Sequence, residues 1–420
     1  MATWGQSALT RFANGFIHQN VAEDLSHLWL RVALDGHVAS AALDGPVEED
    51  RVGRLVEGAL EAARVRPVDP EWPGIAPVAP APVVDHWDDA TAIAAPDERA
   101  ERVQHFVAAG GGLETAGFCS TTAILVDYAN TAGQVLSGRA TMVALDGIAR
   151  TGTSDGSGRA FSARLSDIDG SVVGDEAARR ARDGADPTDI EPGRYEVVLG
   201  PACVADILQF LFIYGLNGLP VHEGRSFARI GETQFDASVS IRDDVTDPGQ
   251  VGVAFDVEGT PRRSVDVVRN GVTKAVLQSR RTARKMGVES TGHGAEGAEA
   301  WGAIPSNIVL EAGTRSTDEL VGGVERGLLV TDFWYTRILD PRTEVVTGLT
   351  RNGVWLIEDG RVIRPVRNLR FTQSYAEALG PGAVKAIGSD ASLVHAGFDI
   401  ATLVPSLHLA SWNFTGGSGG

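Results

Sequence analysis

The sequence predicts an α+β protein, with an N-terminal α/β region of sheet and helix followed by a β-rich C-terminal body. Three observations predict it. Segments of helical period, Val47 to Val65 and Pro96 to Gly112, alternate with β-favouring runs in the first half. After Arg194 the chain carries most of its aromatic residues in short runs punctuated by glycine, the pattern of many strands and turns. Between the two lies YEVVLGPACVADILQFLFIYG, Tyr195 to Gly215, which reads as a strand, a Gly-Pro corner and an apolar helix without charge after Asp206.

In chain order, Ala8 to Asn20 and Leu28 to Leu43 are β-rich, and Asp35-Gly36-His37 supplies a hairpin turn within the second run. From Val47 to Val65 the apolar positions Val52, Leu55, Val56, Ala59, Leu60 and Ala63 recur at helical spacing, and Glu48, Glu49 and Asp50 stand in the first turn, where the helix dipole favours anions. Six prolines between Pro67 and Pro82 remove backbone donors and predict an extended crossing. Pro96 to Gly112 has a proline start and a glycine stop, so it reads as a helix. Leu113 to Gly158 alternates strands and short turns, a helix is expected from about Gly174 to Arg182, and the polar link Asp183 to Gly193 marks the main boundary. The expected domains are 1–92, 93–192 and a β-rich 193–416, with a flexible Gly-rich tail at 417–420.

Composition narrows function. With 43% hydrophobic and 22% charged residues in a 420-residue chain, a globular protein of two or three domains is indicated. A net charge of -18 argues against nucleic acid, whose phosphates are bound by clustered Lys and Arg. The longest apolar run, Ile207 to Tyr214, is too short to span a bilayer, and the N-terminus lacks an apolar signal core, so no membrane role and a cytoplasmic location are expected. The two cysteines, Cys119 and Cys203, sit among apolar residues and read as core rather than as a disulfide framework.

The segment around the apolar helix, together with the blocks FDVEGTP (Phe255 to Pro261), RNGV (Arg269 to Val272), RRTARKMGVESTGHG (Arg280 to Gly294), the long run Trp334 to Ser374 and VPSLHLASWNFTG (Val404 to Gly416), resembles the TldD/PmbA (TldD/TldE) family of two-subunit peptidases. In the TldD subunits of that family HExxxH follows a strand, a Gly-Pro and a short apolar lead-in. Its imidazoles hold zinc and its carboxylate activates the metal-bound water. Laid on without gaps, the two His and the Glu fall on Gln209, Tyr214 and Phe210, none of them a zinc ligand of that kind. The resemblance therefore implies a TldE (PmbA)-like chain with no catalytic residue and no cofactor of its own, zinc being expected in an HExxxH-bearing TldD-like partner. It also implies that a helix and a strand precede the first β-run in family members and that this chain starts without them.

Other candidate chemistry is weaker. The nine histidines form no HExxH or Cys/His cluster, and His222-Glu223, flanked by Gly218, Pro220 and Gly224, reads as a loop. Ser290, Thr291 and His293 on a Gly-rich loop can contact a peptide or a partner, as the resemblance implies, or form a structural turn. Asp256 and Glu258 share one face of an expected extended segment, where Arg262, Arg263 and Arg269 offer salt bridges. Trp334, Tyr335 and Arg351 combine aromatic surface with guanidinium, a mixture suited either to core or to a peptide or partner contact. Asn352 to Val366 reads as a hairpin turning at Glu358-Asp359-Gly360. The expected function is the metal-free subunit of a heterodimeric zinc peptidase acting on unstructured peptides. A stand-alone homodimeric peptide binder, or a metal-free enzyme built on His293 or on Asp256 and Glu258, are the alternatives.

Overall fold

A computed structural model gives the fold, describing residues 1–396 and 400–417. The expected tail at 417–420 lies, past Gly417, outside the described residues. The N-terminal part contains β1 (Ala2–Ala13), β2 (Phe16–Leu34), β3 (His37–Asp44), α1 (Glu49–Val65), α2 (Asp89–Ala92), α3 (Pro96–Ala109), β4 (Glu114–Ala129), β5 (Val135–Arg150), β6 (Asp155–Ser162) and α4 (Gly170–Asp183). Its six strands form one sheet in the order β3-β2-β1-β4-β5-β6, every neighbour antiparallel. The β1–β4 pairing joins segments either side of residue 92 in that sheet. α3 and α4 cover it over a core of Phe12, Phe106, Cys119, Leu145 and Ala177.

Local chemistry explains these elements. Asn14-Gly15 and Asp35-Gly36 both have positive φ at the two turn positions (52° and 76°, 48° and 87°), the backbone that two-residue hairpins need and that Asx-Gly adopts at least cost. The first β-run therefore splits into two long strands at Asn14, where the sequence pattern suggests one continuous run. α4 begins at Gly170, four residues before the expected start, because the Asp169 side chain accepts the Ser171 and Val172 N–H groups and so closes the first turn. Between α1 and α2 the proline-rich stretch forms no helix and no strand, as expected.

The C-terminal part opens with β7 (Gly193–Leu199), α5 (Pro201–Phe210), a π-helical turn (Leu211–Gly215) and α6 (Gly218–His222). It continues with β8 (Ile241–Asp243), β9 (Val265–Arg269), β10 (Val272–Thr273), α7 (Arg280–Met286), β11 (Asn307–Leu310) and α8 (Thr317–Gly322). It closes with β12 (Arg326–Asp340), β13 (Val345–Glu358), β14 (Arg361–Pro365), β15 (Leu369–Ser374), α9 (Tyr375–Ala378), β16 (Val384–Ile387), β17 (Ser392–Ala396), β18 (Ile400–Val404) and β19 (Leu407–Gly417). One sheet runs β12-β7-β19-β15-β13-β14, and because β12 also pairs with β13, five of its strands close on themselves. The other runs β10-β9-β8-β11-β18-β17. α5 packs on β12 at one side and on β17 and β18 at the other. That placement explains its composition, since a helix covered all round is apolar all round. Among the described residues no helix is long and apolar enough to cross a membrane.

Candidate functional site

Gly200 and Pro201 turn the chain from β7 into α5, with Pro201 at the helix's first turn, where a missing N–H costs nothing. At Leu211 the helix widens. The Leu216 N–H reaches back five residues to the Leu211 carbonyl at 2.6 Å, a π-turn, which commonly marks functional sites. Gln209, Phe210 and Tyr214 sit across this junction. Gln209 is buried, while Phe210 and Tyr214 are half-buried and stacked with centroids 5.7 Å apart. Phe210 meets Tyr375 edge-on at 5.8 Å and Tyr214 meets Trp301 at 6.2 Å. An aromatic cluster thus occupies the positions where a ligand set would stand.

Two buried carboxyls lie beside it. Asp206 accepts hydrogen bonds from Thr336 Oγ1 (2.8 Å) and the Tyr375 hydroxyl (3.0 Å). Burial pushes its carboxyl up to about 6 against the pull of those donors. Glu344 is stranger: it is fully buried, its backbone has φ of 52°, and neither carboxyl oxygen has a hydrogen-bond partner. Burial, helped by the charge of Asp340, pushes it up to about 9, so the group is neutral near pH 7. A Cβ on Gly215 would collide with the Phe227 ring and the Glu344 carboxyl, so both groups pack directly against the π-turn.

Zinc needs three or four imidazole, thiolate or carboxylate ligands in tetrahedral array. An amide, a phenyl ring and a phenol at Gln209, Phe210 and Tyr214 do not fit it. Among the described residues no three His, Cys, Asp or Glu side chains come together at ligand spacing.

Around this helix the likeness to known proteins is extensive. A family model, the PmbA/TldA metallopeptidase C-terminal domain, matches residues 192–416, more than half of the chain. The chain belongs to the PmbA/TldD metallopeptidase family. It is 27% identical over 197 residues to a metalloprotease TldD homologue of Buchnera aphidicola, covering 44% of this chain and 39% of that protein. It is 27% identical over 305 residues to a metalloprotease of Methanothermobacter thermautotrophicus, covering 65% and 63%. The matches thus span less than two thirds of the length of either relative. The crystal structure of TldE from Thermococcus kodakarensis has the same fold, with a TM-score of 0.87 at 18% identity over 99% of this chain and 96% of that one.

The other PmbA/TldD blocks lie downstream of the helix. Ser290, Thr291 and His293 belong to the interior and its edge. Ser290 Oγ donates to the Gln278 carbonyl (3.2 Å), and Thr291 Oγ1 accepts the Gln278 N–H (2.7 Å). His293 Nδ1 lies 2.8 Å from Thr291 Oγ1, and Nε2 lies 2.9 Å from Asp243 Oδ1. Hydroxyl, imidazole and carboxylate therefore line up as in a hydrolytic triad. Yet His293 is wholly buried and Thr291 and Asp243 nearly so, so the row ties the loop before β11 to β8 out of reach of a substrate. Burial raises the Asp243 carboxyl, but the His293 charge and the Ser306 and Asn307 N–H groups more than offset it and hold it below the ordinary range.

Asp256 and Glu258 do not lie on an extended segment. They form a tight turn in which Asp256 Oδ1 accepts the N–H groups of Glu258 and Thr260 (each 2.9 Å) and Oδ2 that of Gly294 (2.7 Å). Burial and the neighbouring Glu258 push Asp256 up to about 6. Glu258 pairs with Arg31 (3.3 Å) and accepts the Arg280 N–H (2.8 Å), whereas Arg263 and Arg269 pair with Glu289 and Glu311. His222 ends the one-turn helix α6, started by the Asn217 side chain, and so is not in the expected loop. Glu223 beyond it pairs with Arg225. Cys119 and Cys203 are free and buried.

Trp334 and Tyr335 are surface residues, 49% and 65% exposed. Arg351 stacks over the Trp334 ring at 4.3 Å and Arg337 over Tyr335 at 4.7 Å. Tyr335 has φ of 56°, at a bulge where the β12–β13 register shifts. Such a kink blunts the strand edge against indiscriminate pairing. Sequence reasoning missed Tyr375 and Glu344. Asp206 was visible as the one charge within the apolar helix.

Proposed function

We propose that this chain is the metal-free subunit of a two-chain TldD/TldE-type zinc peptidase. Its role is to close the chamber and hold an unstructured peptide while a TldD-like, HExxxH-bearing partner supplies zinc and cuts. One observation carries the reading: an aromatic stack with an amide spans the junction of α5 and the π-turn, where the family motif would put two imidazoles and a carboxylate. The exposed Trp334, Tyr335 and Arg351 are the proposed contacts with that partner or with peptide, because rigid aromatics and Arg dominate protein contact hot spots. Ser290, Thr291 and His293 would shape the loop behind the site rather than touch substrate.

The test is to purify the native assembly from its own cell. The expected result is a companion chain carrying HExxxH, with zinc and chelator-sensitive peptidase activity that both vanish when this chain is isolated. Stoichiometric zinc and chelator-sensitive cleavage by the isolated chain would overturn the proposal.

A further inference from the structure

A hollow of about 1170 Å³ opens between the N-terminal sheet and the C-terminal part, more than the ~300–1,000 Å³ typical of small-molecule sites. Its walls include β6 and β17, each the last strand of its sheet. Phe161 of β6 stacks on His395 of β17 with centroids 4.6 Å apart, so the two strands meet at the groove they both line. Among the described residues neither pairs with the other or with any further strand. An unpaired edge is a template for another strand. The lining also holds apolar surface, including Val362 and Ile363 of β14, which are 46% and 52% exposed.

The charges of the groove are unequal. Arg159, Arg179 and Arg180 are matched within it by Asp146, Asp183 and Glu176. Three carboxylates remain, Asp167, Asp318 and Asp390, with no cationic partner among the described residues, against one further cation, Arg364, which donates to Thr188. We propose that this groove docks an extended peptide that adds as a strand to the open edge of β17, and that it selects segments bearing lysine or arginine. The proposal rests on the reading of the chain as a peptide-holding subunit and names the place and the preference.

The purified full chain is titrated into fluorescein-labelled unstructured peptides of about eight residues, ~27 Å when extended. One carries two lysines, a second has glutamate in their place, and a third repeats the first with alternate amides N-methylated. The lysine peptide should bind about tenfold tighter than the glutamate peptide, with the gap shrinking in salt. N-methylation should weaken it about tenfold, since it removes the donors a strand needs. Ser392→Trp, which fills the groove beside β17, should weaken both unmethylated peptides, and Asp318→Asn should close much of the lysine–glutamate gap, each with an unchanged thermal melt. If Ser392→Trp misfolds, Ile363→Trp, which fills the groove from β14 without adding charge, serves in its place. Equal affinity for lysine and glutamate peptides, indifference to N-methylation, or full binding by a folded groove-filling variant would each overturn the proposal. None of these readouts involves zinc or a companion chain, so a failure here is distinguishable from a failure of the subunit reading.

Discussion

Glu344 is the residue whose environment conflicts most with its chemistry. Its carboxyl is fully buried with both oxygens unpartnered, and its backbone sits at φ of 52°, where a non-glycine residue is strained by about 1–2 kcal/mol. Its folded pKa of about 9 lies far above the ordinary glutamate value of 4.5, so the unfolded chain ionises first. For an acid raised on folding, the penalty is absent below the unfolded value, grows as pH rises, and levels off above the folded value. At pH 7 it amounts to something on the order of 3 kcal/mol. Glu344→Gln removes the titration. Its stability relative to the parent should therefore rise by roughly 1.4 kcal/mol per pH unit between about pH 5 and 9, read from urea unfolding across that range. Parallel pH profiles for the two proteins would refute this.

The π-turn is the element on which the site depends, and Gly215 is what lets it close. Any side chain there meets Phe227 and Glu344, so Gly215→Ala should cost about 1–3 kcal/mol by overpacking, measured as a lower denaturant midpoint at unchanged slope. Elements of this kind divide sharply in how legible they are. α1 and α3 follow from local period and from proline and glycine stops, and the β13–β14 hairpin from Asp359-Gly360, because each signal lies within a few residues. The turn at Asn14 was just as local but was masked by β-favouring residues on both sides. The fall of Gln209, Phe210 and Tyr214 on the motif positions depends on residue identity alone, so it is read from the sequence without any contact. The burial of His293 against Asp243, 50 positions away, the turn at Asp256 and the orphaned carboxyl of Glu344 depend on tertiary contacts that leave no mark in local spacing.

At the scale of the molecule, the proline-rich crossing between α1 and α2 is clamped to the C-terminal part by α7. Arg281 pairs with Asp69 and with Glu71 (3.3 Å), Lys285 reaches Glu71 (2.9 Å), and Arg280 donates to the carbonyls of Pro73 and Ile75 (3.4 and 3.1 Å). A stretch with so many prolines cannot hold itself through its own ladder, so side-chain donors from elsewhere do it. The Arg281 hydrogen bond, opposed by desolvation, holds Asp69 below its ordinary range, and Lys285 does the same for Glu71. For acids lowered on folding, the stabilisation is complete above the unfolded values of 3.8 and 4.5 and is lost as pH falls through the folded ones. The clamp should therefore hold at pH 6 and release in acid below about pH 4. Because its ion pairs are partly exposed, strong salt should loosen it too. Hydrogen exchange over residues 67–82, corrected for intrinsic rates, should rise in acid and in Arg281→Ala at pH 6 while protection in β4 and β5 stays constant. Equal exchange of the crossing in parent and variant at pH 6 would mean that packing, not charge, keeps the two parts joined there.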